Sequence, residues 1–283
     1  MDLGSYLALP FAQHALIAGT LIAVTCGVLS PFVLIRQMAF AVHGAAELSF
    51  TGAAAGLVLL GDPVIGALCG SVVVAGLIGS LGDRPRERDS SIGVVLAGGL
   101  GLGVLLLSQY QGFASAATSI LFGDIFAISS GQIWLLVVLA VLVLAGLSLL
   151  YRPLLFASVD PELASASGVP TRLLGIAFLL LLAVTVTEAA QVVGTLLVLS
   201  LAIIPGATAQ RLATAPLAAT AVSVGVALVA TDGGLLLALN GTTVPPTVFV
   251  TGISVSAYVL ARLVGPRLAA RRARALEVAR RLS

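Results

Sequence analysis

Apolar runs of about twenty residues recur along nearly the whole chain, and they constrain its fold before any motif is read. They lie at 14–35, 38–60, 63–81, 92–109, 131–150, 172–188, 190–208, 217–238 and 246–265. A helix needs about 20 such residues to cross a ~30 Å hydrocarbon layer. Lipid offers no partner to a free N–H or C=O, so a crossing segment must satisfy its backbone internally. Only 9% of the residues are charged, where a soluble domain would carry roughly 25%. The ~10-residue alternating segments of a membrane β-barrel do not occur. The sequence therefore predicts an all-α, polytopic helical membrane protein with about nine transmembrane helices.

The breaks between runs have local causes. Asp62-Pro63 stops one helix, because Pro lacks the N–H and disfavours helix at the residue before it. "GDRPRERDSS" at 82–91 reads as a charged loop, and 152–172 as a longer polar interlude. All fourteen basic residues are Arg. Arg36, the Arg84–Arg88 group, Arg152 with Arg172, and Arg211 fall in alternate connections, and six more lie in the tail from Arg267. Cytoplasmic loops carry the arginine excess, so the expected N-terminus is outside and the C-terminus cytoplasmic. If the turn near Glu188–Gln191 is not a crossing boundary, the count becomes eight and the N-terminus moves inside. "MDLGSYLALPF" lacks a basic n-region, so no cleavable signal is expected. Cys26 and Cys69 read as small hydrophobes within helices. The basic tail, 267–283, reads as a partly amphipathic helix near anionic lipid.

Small residues set the helix spacing. "GAAAG" at 52–56, "GALCG" at 66–70 and "GLGLG" at 99–103 permit the close backbone approach on which helix association in lipid depends. The stretch 112–130 is too interrupted for a span and reads as a short or re-entrant outer piece. "VDPELASASGVP" reads as a two-turn helix over 161–167. Asp160 caps its free N–H groups, Pro161 occupies the first position, Gly168 stops it and Pro170 blocks continuation. Pro205 and Gly206, near the end of another span, combine a kink with slim side chains, which suits a gate and equally suits packing.

Charged groups inside a membrane usually face the bundle interior or an aqueous path. Here they are His43, Glu47 and Glu188, with Asp124 and Asp232 nearer the outer edge. At i and i+4, His43 and Glu47 share one helix face, with Cβ atoms roughly 5–6 Å apart. Imidazole plus carboxylate is a donor set for zinc, manganese or iron(II), and a poor one for copper(I). Two donors do not complete a zinc shell of four. A symmetric dimer would supply two His and two Glu about one axis. Taken alone, the pair fits helix packing first, metal transit next and a proton relay last. His14 reads as a solvated interfacial residue.

The ordered set of segments resembles the membrane permeases of ABC importers for zinc, manganese and iron. "RQMAFAVHGAAELSFTGAAAGLVL" resembles that family's second-helix signature, and "LFGDIFAIS" its outer-side element. "VDPELASASGVPTRLL" is similar to its cytoplasmic coupling segment, and "QVVGTLLVLSLAIIPGATAQRLA" to the signature that follows. The resemblance covers about residues 14–265. It implies a type II ABC importer-like fold with a permease domain over 1–266 and a permease homodimer in the bacterial cytoplasmic membrane. It also implies a separate cytoplasmic ATPase dimer and an extracytoplasmic metal-binding protein. The coupling helix at 160–168 would be built from Asp160, Glu162, Ala164, Ala166 and Gly168. His43 and Glu47 would be transient ligands for the transported ion, zinc or manganese or else iron, with no permanently bound cofactor. Asp124, Glu188 and Asn240 would be outer-side polar groups.

Two departures from the family pattern stand out. Where the family usually has Asp, this chain has His43; where it has His, this chain has Glu47. Asn240 is the nearest equivalent of an Asp that often precedes the later prolines.

The chain has no G-x-x-x-x-G-K-[ST] phosphate loop, so ATP hydrolysis is expected on another subunit. With two histidines and no nucleophile–base constellation it is not read as an enzyme, and no nucleic-acid partner is expected. Two other classes remain at this stage. A type II ABC permease for a siderophore- or cobalamin-like chelate would not need the His43–Glu47 pair. A proton-coupled secondary transporter would relay protons through Glu47 and Glu188. A structural scaffold is disfavoured, since it has no need of buried charge.

Overall fold

A computed structural model describes residues 9–80, 85–110, 123, 125–195, 198–240 and 244–282, without the side chains of 80, 85–88, 91 and 266–282. Among the described residues there are ten α-helices and no strand. They are α1 (Pro10–Ile35), α2 (Ala39–Leu60), α3 (Pro63–Ser80), α4 (Pro85–Ser108) and α5 (Ser130–Val159). After them come α6 (Pro161–Ala166), α7 (Thr171–Val193), α8 (Val198–Leu212), α9 (Pro216–Leu239) and α10 (Pro246–Leu282).

Each expected apolar run except 190–208 falls mainly on one helix, and 190–208 is divided between the end of α7 and α8. Six helices are long and apolar enough to cross a membrane: α1, α2, α5, α7, α9 and the Pro246–Gly265 part of α10. Pro63–Gly79, Ile92–Ser108 and Val198–Leu212 are apolar but shorter. At 1.5 Å per residue, the 15 residues of α8 span only about 22 Å. Most of the outer segment 112–130, Asp124 included, lies outside the described residues.

Three expected boundaries are corrected. α4 begins at Pro85, so much of the charged 82–91 segment is helical; charge alone does not stop a helix, and Pro is favoured in its first turn. α5 continues past Arg152 and Pro153 to Val159, so the polar interlude begins only at Asp160. No break occurs at Glu188–Gln191. α7 runs to Val193 and ends at Gly194 (φ 93°), whose N–H donates to the Ala190 carbonyl at 2.8 Å. Nothing between 188 and 193 is a helix breaker, and Gly194 is the first residue free to take a positive φ.

α2 lies clamped in the bundle. A Cβ on Gly56 would sit 2.6 Å from Gly66 Cα, and one on Gly52 would sit 2.6 Å from the Gly66 carbonyl oxygen, so α2 and α3 touch backbone to backbone. On the α4 side, Leu48 packs over Gly99, and the Thr51 hydroxyl donates to the Gly99 carbonyl at 2.8 Å. The core centres on α1, α2 and α7, with Phe32, Phe178, Ile22 and Leu182 fully buried. α5 and α10 are mostly exposed, as lipid-facing helices would be.

Candidate metal site and its surroundings

The path to the site starts at the turn between α1 and α2. Gln37 takes a positive φ of 53°, and the Met38 N–H donates to the Val33 carbonyl at 2.8 Å. This turn starts α2 at Ala39, one turn before His43. Unbroken helix from 39 to 60 keeps His43 and Glu47 on a common face. Glu47 is 8% exposed. His43 is half-buried, its ring 6.2 Å from that of Phe40. No hydrogen bond or ion pair links His43 to Glu47 among the described residues. Nor do the described residues hold any group of three or more His, Cys, Asp or Glu able to bind a metal. The protomer thus offers a two-donor face and not a closed shell.

The other expected polar residues lie apart from this pair. Glu188 is not at a helix boundary but within α7, 2% exposed, and its Oε1 has no hydrogen-bond partner among the described residues. It borders a cavity of about 30 Å³, room for a water, together with Gln132 and Gln191. Both glutamines also border a larger space of about 190 Å³ that reaches Ser49 and Ala53 of α2, Pro63 of α3, and Thr195. The Thr195 hydroxyl, 2% exposed as a residue, likewise lacks a partner. Sequence reading missed this polar space, because Gln132, Gln191 and Thr195 carry no motif. Their only signal is polarity near helix ends. Asn240 is exposed and closes α9, its N–H donating to the Leu237 carbonyl at 3.2 Å. Asp232 accepts a hydrogen bond from the Thr20 hydroxyl at 3.2 Å. His14 is not simply solvated, because its Nδ1–H donates to the Ile128 carbonyl at 3.1 Å.

The short helix forms as its capping residues dictate. The Asp160 carboxylate accepts from the Leu163 N–H at 2.9 Å, Pro161 follows, and Gly168 (φ 83°) ends the segment. The helix stops at Ala166, one residue earlier than expected, with Ser167 as its cap. Ala164 is fully buried, whereas Glu162, Leu163 and Ala166 are exposed. Leu163, 55% exposed, is an outward apolar residue that the sequence did not single out.

Pro205 and Gly206 are buried in α8. The Gly206 N–H donates to Ser30 Oγ at 2.9 Å, and the Ser30 hydroxyl donates to the Ile203 carbonyl at 3.2 Å. A Cβ on Gly206 would lie 2.6 Å from the Ser30 carbonyl carbon. Ser30 precedes Pro31, itself inside α1, so two proline-bearing helices meet at one serine. In this state the pair forms a close packing contact.

The profile of the ABC 3 transport family matches residues 8–265. The manganese transport system membrane protein MntC of Halalkalibacterium halodurans is 32% identical over 207 residues, covering 73% of this chain and 71% of that protein. The high-affinity zinc uptake system membrane protein ZnuB of Haemophilus influenzae is 27% identical, covering 83% of this chain and 91% of that protein. Among solved structures, PsaBC from Streptococcus pneumoniae in complex with Fab aligns with a TM-score of 0.84 at 24% identity. That alignment covers 94% of this chain and 96% of the other, and it establishes the likeness of fold.

Proposed function

The chain belongs to the ABC 3 transport family, and from that footing we propose that it is the permease subunit of an ATP-driven importer of divalent metal ions, manganese or zinc. The observation that carries the reading is the family match, which runs from before α1 to Gly265 in α10. The relatives named for manganese and zinc transport support the cargo. They favour a free ion over an organic chelate.

The mechanism proposed is alternating access in a homodimer. An extracytoplasmic binding protein delivers the ion to the outer mouth. His43 and Glu47 of each protomer then replace part of its water shell, and binding stays weak enough to permit release. Imidazole nitrogen is a common ligand of zinc and carboxylate oxygen of manganese, so the pair is compatible with either ion. Glu188, Asp124 and Asn240 would polarise the outer approach. A separate ATPase dimer docks on α6, where Glu162, Leu163 and Ala166 point outward, and its closure reorients the path. Pro205 and Gly206 would yield during that movement. Because α7 and α8 remain separate helices, with the break at Gly194 and not at Glu188–Gln191, the arrangement we propose keeps nine crossings, an outer N-terminus and a cytoplasmic arginine-rich tail.

The test is metal-stimulated ATP hydrolysis and uptake by the reconstituted permease–ATPase complex with manganese, zinc and iron(II). Stimulation by manganese or zinc is expected, together with its loss in the His43→Ala, Glu47→Ala double variant. Wild-type uptake by the double variant would remove the pair from the path. Stimulation by a chelate alone would reassign the cargo.

A further inference from the structure

Where the ends of α1, α2, α3, α5 and α7 meet the first residue of α6, the bundle holds a cavity of about 380 Å³ lined by neither His43 nor Glu47. Two guanidinium groups line it, Arg36 from the α1–α2 turn and Arg172 from the first turn of α7, with the hydroxyls of Ser158 and Thr171. Arg36 is fixed in place. Its Nη1 donates to Ser158 Oγ at 3.2 Å, and its guanidinium stands 5.4 Å from the centre of the Phe178 ring. Gly175 leaves room for it, since a Cβ there would lie 3.4 Å from Arg36 Nη2. Arg172 is exposed. The deeper wall is apolar, with Ile176 and Leu179 among its residues.

We propose that this cavity binds the phosphate of an anionic phospholipid headgroup, bridged between Arg36 and Arg172, with the proximal acyl chain against Ile176 and Leu179. Three features converge on that ligand. Guanidinium groups match phosphate oxygens in charge and planar geometry, and charge-assisted bonds of this kind are the strong ones. At the start of α7 the Thr171 N–H donates to the Val169 carbonyl, and the next N–H groups, which have no partner within the helix, favour an anion at that end. Basic pockets between membrane helices at the cytoplasmic level suit lipid headgroups. The apolar wall decides between a lipid and free phosphate, because a soluble anion gains nothing from it. An acidic side chain of the ATPase is the other anion within reach. Pro161 at the start of α6 also lines the cavity, so the docking surface proposed for that subunit adjoins it, and it is the apolar wall of Ile176 and Leu179 that favours lipid over a protein carboxylate. Lipid is therefore the favoured occupant. A bound headgroup would tie the turn that starts α2 to the segment following α6.

The test uses the delipidated full-length permease alone, so its outcome does not depend on metal transport. Native mass spectrometry would measure retention of phosphatidylglycerol against phosphatidylcholine, in parallel with melting temperature. We expect wild type to retain phosphatidylglycerol selectively and to melt higher with it. Arg172→Gln, at an exposed position, should fold and bind that lipid about tenfold more weakly. Arg172→Lys should restore part of the loss, since charge returns without the planar fork. Arg36→Gln should act in the same direction. Unchanged lipid retention in Arg172→Gln would overturn the proposal. So would displacement of the lipid by inorganic phosphate at comparable concentration, which assigns a soluble anion. Loss of ATPase co-purification in Arg172→Gln with lipid retention intact would assign the cavity to the ATPase and overturn it equally.

Discussion

A buried carboxylate and an imidazole in lipid must have a use or a partner, and on α2 neither residue partners the other among the described residues. That makes the order of the two donors testable. Exchanging them, His43→Asp with Glu47→His, restores the arrangement usual in the family the sequence resembles. The exchanged protein should fold, because both positions keep a polar group of similar size, and it should retain metal-stimulated ATP hydrolysis. The balance between manganese and zinc should shift, since the acid moves one turn along the helix. Identical metal profiles before and after exchange would show that the order is neutral. A second residue-scale expectation concerns Ser30, whose hydroxyl bonds α8 on both sides of Pro205, at the Ile203 carbonyl and the Gly206 N–H. Ser30→Ala leaves the Gly206 N–H and the Ile203 carbonyl without that partner and should cost about 1–3 kcal/mol in stability. Gly206→Val places side-chain carbon on the Ser30 backbone and should cost more. Thermal unfolding in detergent checks the ranking. His43 and Glu47 were legible in the sequence because charge in an apolar run is conspicuous. Ser30 was not, because a serine in a membrane helix usually bonds its own preceding turn.

Helix ends show where a sequence can be read and where it cannot. α2, α3 and α9 start and stop within about a residue of expectation, and each is bounded by Pro, Gly or Asn, whose backbone preferences act locally. α4, α5 and α7 departed from expectation because charge and polarity were taken as stops. A helix that protrudes from a bilayer can keep its hydrogen bonds while carrying a residue such as the exposed Arg152 into water. α6 tests the local logic most directly. Its six residues have almost no cooperative length, so its cap must matter. Asp160→Ala should destabilise the segment by about 1 kcal/mol. Leu163→Glu leaves the cap intact but replaces the outward apolar contact. Both variants should reduce recovery of the ATPase on the permease, the second without changing the permease's own melting temperature. Full recovery with Leu163→Glu would move the docking surface off this face.

At the scale of the whole molecule, the donor count points beyond one chain. Among the described residues no three metal-binding side chains come together, yet divalent ions in protein sites take four ligands or more. Water can complete such a shell, but selective handling of one ion over another requires protein donors. In the homodimer proposed above, a two-fold axis beside α2 would bring a second His43 and Glu47 to the same point. The consequence can be measured in a tandem fusion of two permease copies. With both copies intact, metal-stimulated ATP hydrolysis should match that of the unlinked protein. With His43→Ala and Glu47→Ala in one copy only, a shared site loses half its ligands at once. Stimulation should then fall close to the level of the fully mutated pair. If each protomer handled its ion alone, the mixed fusion would keep about half the wild-type response. The two outcomes are far enough apart to decide between one composite site and two independent ones, and an even halving would show that the dimer serves the ATPase and not the metal.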